Sequence, residues 1–154
     1  MTNAGVTISP DERATVERAR VARLATVRPD GTPHLVVVTF ALHGDTVVTA
    51  VDSKPKRSQH LQRVRNLQER PAAALLVDHY DEDWSRLWWV RLDGEAEVVR
   101  DEPRRTDVLT PLIAKYPQYQ SAAPPGPVIV IAVRSTASWS AASADTDPNR
   151  PASA

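Results

Sequence analysis

The sequence predicts a mainly β fold of the α+β type: a small barrel of six mostly antiparallel strands with short helices inserted. Three observations carry this. Short runs rich in β-branched residues are separated by tight turns such as Asp30-Gly31 and Gly44-Asp45. The run from Leu35 to Leu42 is nearly all apolar, as expected of a strand buried on both faces, one side filling a barrel and the other meeting a helix or a second subunit. Helical patterns follow the third strand and precede the last, an order that no doubly wound fold fits.

Ser9-Pro10-Asp11-Glu12 reads as a helix start, with Ser9 as N-cap, Pro10 in the first helical position and Glu12 closing a capping box. That helix runs to about residue 20. Residues 21–27 are strand-like, Pro29-Asp30-Gly31-Thr32-Pro33 is a turn, and 34–42 is the second strand of a hairpin. His43-Gly44-Asp45 turns the chain into a third strand, 46–51. Leu61, Val64 and Leu67 then set a narrow apolar stripe on a helix over 58–68, with Arg63, Arg65 and Arg70 read as its solvated face and Asn66 as bonded to a neighbouring loop. Pro71 stops this helix. Strands follow at 72–77 and 87–92, the latter continuing past Asp93-Gly94 into 95–99. Residues 103–116 read as a helix interrupted at Pro111, and 128–134 closes the sheet. From Ala141 the composition turns to Ala, Ser, Asp and Pro without periodicity, so the organisation is one domain over 1–140 and a disordered tail over 141–154.

The 154 residues suit one domain with a real core, and the 19 acidic and 19 basic residues balance. No global field therefore draws the protein to nucleic acid or to a membrane. No apolar leader or membrane-length apolar run is read in the sequence, so a cytoplasmic location is expected. Cysteine is absent, and with it disulfides and thiolate chemistry.

Local charge is uneven. Lys54, Lys56, Arg57, Arg63, Arg65 and Arg70 stand against the single acid Glu69 between residues 54 and 70, with His60 as a further basic group. Asp52-Ser53-Lys54-Pro55-Lys56-Arg57-Ser58 lies between a strand and a helix start, where free N–H groups, the helix dipole and cationic side chains all attract phosphate. The same cations suit a solvated turn; their clustering between strand and helix favours the phosphate reading. Asp78-His79-Tyr80-Asp81-Glu82-Asp83 lacks the spaced ligands and glycine of a calcium loop, and no histidine pair has zinc spacing, so no metal is expected. No Gly-x-Ser-x-Gly elbow is present and no catalytic side chain is identified, a poverty that suits an enzyme whose cofactor carries the chemistry. Trp88 and Trp89 are adjacent on one strand and point to opposite faces, so they do not line one pocket together.

Ala22-Arg23-Leu24-Ala25-Thr26-Val27, Asp30-Gly31-Thr32-Pro33-His34, Val38-Thr39-Phe40, Lys54-Pro55-Lys56-Arg57 and Leu75-Leu76-Val77-Asp78-His79-Tyr80, in that order, resemble the flavin-reductase-like split β-barrels. That superfamily includes pyridoxamine-phosphate-oxidase-like proteins and the deazaflavin (F-420)-dependent oxidoreductases of actinobacteria. The likeness spans residues 19–139. Asp83-Trp84 and Leu87-Trp88-Trp89-Val90-Arg91 resemble the tryptophan-rich fifth strand of one deazaflavin subgroup. The resemblance implies a six-stranded FMN-binding split barrel, a homodimer with cofactor in the groove between subunits, and hydride transfer from F-420 to a small conjugated substrate. It implies Lys54, Lys56 and Arg57 at the cofactor phosphate, Thr39, Thr49 and Ala50 along the ring, and Trp88 over the substrate. One departure is Val37, which stands where many relatives have proline beside the ring. The alternatives are FMN in the same fold, or a non-catalytic protein that binds the cofactor or a tetrapyrrole.

Overall fold

The computed structural model describes residues 8–51 and 57–144, the side chains of 57–61 and 143–144 excepted. Helix α1 (Pro10–Arg18) opens with the expected capping box: Glu12 N–H donates to Ser9 Oγ at 3.2 Å, and Ser9 N–H donates to Glu12 Oε1 at 3.2 Å. The chain continues through β1 (Ala22–Val27), β2 (Pro33–Val38), β3 (Ala41–His43), β4 (Thr46–Ala50) and α2 (Arg57–Glu69). After these come β5 (Ala72–His79), a 3₁₀ turn (Trp84–Arg86), β6 (Trp88–Val99), α3 (Arg104–Lys115), α4 (Pro117–Ser121), β7 (Val128–Ser140) and α5 (Ala141–Ala144).

All ladders are antiparallel, in the order β2-β1-β5-β6-β7-β4-β3. The described sheet thus has seven strands where six were expected, and it is not closed, because no ladder joins β2 to β3. The reason lies in the run expected to be one strand, which breaks at Thr39-Phe40. Phe40 N–H donates to the Tyr116 hydroxyl at 3.1 Å, and that hydroxyl lies 2.8 Å from the Arg20 carbonyl and 3.1 Å from the Phe40 carbonyl, to one of which it donates. A side chain takes the place of a strand neighbour, so Phe40 is fully buried with its backbone satisfied and the ladder ends. The two edges of the sheet are joined covalently through this break.

One face of the sheet, with Leu24, Leu75, Leu92 and Ile131, forms the main core together with Val64 and Leu67 of α2. The other face of β4 and β7 packs Val48, Ala50 and Val128 against Leu109 and Leu112 of α3. Helix α3 runs through Pro111 where an interruption was expected. Proline costs one intrahelical bond there, and the flanking buried pair Leu109 and Leu112 holds both halves to the sheet. Opposite Asp93-Gly94 the register shifts by one, leaving Arg134 of β7 as the bulged residue, and a Cβ at Gly94 would sit 2.1 Å from the Ala132 carbonyl oxygen. β7 extends to Ser140, beyond the expected end near residue 134, because it pairs along the whole of β6. Ala141–Ala144 is a helical turn, and the rest of the expected tail lies outside the described residues. No helix among the described residues is long and apolar enough to cross a membrane.

Candidate functional site

The β2–β3 break brings two of the expected ring residues together. Thr49, 1% exposed, donates its hydroxyl to the Thr39 carbonyl at 2.7 Å, so that hydroxyl is engaged within the chain. Thr39 is half-buried, and its own hydroxyl shares a 2.8 Å hydrogen bond with Tyr119 of α4. Ala50 turns its methyl toward α3 and is buried there, which leaves only its backbone for a ligand. Val51 N–H is anchored on the Pro127 carbonyl at 3.1 Å. From this fixed point the chain reaches Arg57, the first residue of α2. Lys54 and Lys56 lie outside the described residues, as does the Arg57 side chain.

The inner face of α2 is more polar than its apolar stripe suggests. Arg63 was expected to face solvent and is instead 6% exposed, while Arg65 and Arg70 are exposed as expected. Asn66 is fully buried, donates to Thr26 Oγ1 at 3.0 Å and accepts from Gln62 at 2.8 Å, so it ties the helix to strand β1 where a loop was expected. His34, opposite Thr26 in the β1–β2 ladder, is 8% exposed, and its Nδ1 has no hydrogen-bond partner among the described residues. Burial, with Arg28 and Arg63 nearby, holds its pKa below the ordinary 6.5, so the imidazole is neutral at pH 7. The signal for Arg63 was present in the sequence. Residues 63, 66 and 67 share one helical face, so the turn of the helix that buries Leu67 also carries Arg63 and Asn66 inward.

Trp88 stands elsewhere. Thr49 pairs with Ile129, which pairs with Val98, whereas Trp88 pairs with Ser140 at the opposite end of β6. Trp88 faces the core side with Val90 and Leu92, and Trp89 takes the other face, level with Trp139. The Trp88 ring stacks on His79 with centroids 5.9 Å apart and planes 17° apart. The two rings, with Arg18, Arg20, Arg23 and Asp78, line a cleft of about 390 Å³. Sequence reasoning missed this meeting of α1 with β5 and β6, because the residues are far apart along the chain. The nearby acids are spent on structure: Asp78 pairs with Arg23 at 2.6 Å, Asp81 lies 3.6 Å from Arg86, and Asp83 caps the 3₁₀ turn through Ser85 N–H at 3.1 Å.

A family model described as pyridoxamine 5'-phosphate oxidase matches residues 8–140. Among solved structures, the conserved hypothetical protein Rv2991 from Mycobacterium tuberculosis is similar with a TM-score of 0.72 at 22% identity, covering 100% of this chain and 98% of that one. A FAD-binding protein from Mesorhizobium loti gives 0.60 at 19%, covering 86% and 94%. The heme storage protein HutZ from Vibrio cholerae gives 0.64 at 13%, covering 87% and 94%. At these identities the likenesses show the fold. No curated protein matches the sequence. Matched by that family model from the start of the described chain to the end of β7, the chain belongs to the pyridoxamine 5'-phosphate oxidase family.

Proposed function

We propose that this protein is a cytoplasmic oxidoreductase that binds deazaflavin F-420 and directs hydride from it to a small conjugated acceptor. The observation that carries the reading is the start of α2. Arg57 opens a helix of 13 residues whose first turn, Arg57-Ser58-Gln59-His60, holds no acid, directly beyond the anchored Val51. An acid-free cationic helix start fits a phosphate group, through free N–H groups, the dipole and the side chains of Lys54, Lys56 and Arg57. The ring side fits a planar group held by backbone: Thr49 and Ala50 direct their side chains elsewhere, and Thr39 is the half-exposed member. When bound, the cofactor supplies two-electron hydride chemistry. The chain binds its phosphate, fixes the β2–β3 break through Tyr116 and Tyr119, and keeps water from the buried side of that break.

A titration of the purified protein with F-420 and with FMN, followed by fluorescence and repeated with Lys56→Ala, tests this. Selective F-420 binding that the substitution weakens by about 1–3 kcal/mol is expected. FMN preference moves the reading to a flavoprotein, in line with the FAD-binding relative. Binding to neither cofactor, or binding that Lys56→Ala leaves unchanged, removes the phosphate assignment.

A homodimer belongs to the same proposal. On the outer face of β2, β1 and β5, Leu35 is 67% exposed, Val37 62% and Leu76 36%, with Val37 and Leu76 flanking Arg23 in register. Such an apolar strip suits a second copy of the chain.

A further inference from the structure

We infer that the cleft of Arg18, Arg20 and Trp88 binds a small planar anion, a conjugated ring carrying a carboxylate, with the two guanidinium groups on the charge and the indole against the ring. Among the described residues, three arginines line this cleft against one carboxylate, and that carboxylate, Asp78, is already paired with Arg23 at 2.6 Å. Among the described residues, Arg18 and Arg20 therefore line the cavity with positive charge that no carboxylate of its lining balances. Arg20 is held in place by the Tyr116 ring, its guanidinium carbon 4.8 Å from the centroid, and by its Nη2, which donates to the Lys115 carbonyl at 3.5 Å, so its remaining N–H groups are the ones left for a planar two-oxygen acceptor. Arg18 projects from the last turn of α1, where a cation also suits the helix dipole. The wall between them is flat and aromatic, because His79 stacks on Trp88 at 5.9 Å and fixes the ring's orientation. The volume of about 390 Å³ is at the small end of ligand pockets, the size for one or two fused rings.

This cleft is built by α1, β1, β5 and β6 and shares no residue with the cationic turn before α2. Its ligand class therefore does not depend on which cofactor binds.

The test is calorimetric titration of the cofactor-free full chain with para-nitrobenzoate and with its neutral isostere para-nitrobenzamide. The carboxylate is expected to bind about ten-fold or more tightly than the amide. Arg18→Gln and Arg20→Gln should each weaken the carboxylate by about ten-fold and leave the amide unchanged, whereas Trp88→Leu should weaken both. Circular dichroism checks the fold of each variant, and the exposed Arg18 carries the test if Trp88→Leu fails to fold. Equal affinity for acid and amide, binding of neither, or carboxylate affinity unchanged in both arginine variants would overturn the inference. A failure of F-420 and FMN to bind would leave these outcomes untouched, so the two readings fail separately.

Discussion

The sheet has two apolar outer regions, and the described residues cover one of them and leave the other exposed. On β4 and β7, Val48, Ala50 and Val128 are buried beneath Leu109, Leu112 and Tyr116. On β2 and β5, Leu35, Val37 and Leu76 carry equally apolar side chains with no helix above them among the described residues. In sequence the two look alike, because a strand reads as apolar whether its cover comes from its own chain or from outside. The difference lies in where the helices go: α3 returns over β4, while α2 serves the inner core.

The largest expected effect sharpens that contrast. Leu112→Ala, at a fully buried position of α3 against the sheet, should cost about 2–5 kcal/mol in urea unfolding. Leu35→Ala should cost less than about 0.5 kcal/mol in dilute monomer, because its side chain is already in water. Leu35→Glu should instead shift the molecular mass in light scattering toward a monomer. Equal destabilisation by the two alanine variants in dilute solution would break the comparison, and an unchanged mass for Leu35→Glu would remove this face from any dimer.

The next effect concerns how α3 is joined to the sheet. Tyr116 follows the helix directly, and its hydroxyl serves Phe40 N–H together with the Arg20 and Phe40 carbonyls. Tyr116→Phe keeps the ring and orphans buried backbone groups, at about 1–3 kcal/mol. Tyr119→Phe removes a partner of the half-buried Thr39, which water can replace, so its cost should be smaller. Chemical denaturation of both variants checks the order; the reverse order would mean that Tyr116 holds the break by packing alone.

These contacts also mark where the sequence was legible and where it was not. The α1 capping box, the Gly44 turn with φ of 56° and strands β4 and β5 depend on residues adjacent in the chain, and were readable there. The split of β2 from β3 depends on Tyr116, 76 residues after Phe40, and no local pattern announces it. Continuity through Pro111 was hidden for a related reason, since burial of Leu109 and Leu112 against the sheet outweighs one lost hydrogen bond. The inward turn of Arg63 follows from helical phase and was readable in principle, but the expectation that arginine faces water prevailed. In the candidate site, the sequence reading named residues close together in the chain, and it did not reach the cleft assembled from α1, β5 and β6.

The smallest effect tests what α3 gives up in covering its side of the sheet. Lys115, its last residue, has an Nζ with no hydrogen-bond partner among the described residues, 3.9 Å from the Phe40 ring centroid. Burial, aided by Arg20 and opposed by Glu17, lowers its pKa from 10.5 to about 8. Between about pH 8 and 10.5 the unfolded chain still holds a proton that the folded chain has released, so this group makes stability rise with pH across that window. Below pH 8 both states are protonated and the cost is constant and fully present. Lys115→Met keeps the stem and removes the charge. It should stabilise the protein near neutral pH by under about 1 kcal/mol, because the lysine is only half-buried and solvent screens it. That advantage should shrink toward pH 10 as the wild-type lysine becomes neutral. Urea midpoints for both proteins at the two ends of the window decide the matter: a constant gap would mean that the Phe40 ring and its surroundings bear the ammonium without penalty, and that α3 covers its face of the sheet at no electrostatic cost.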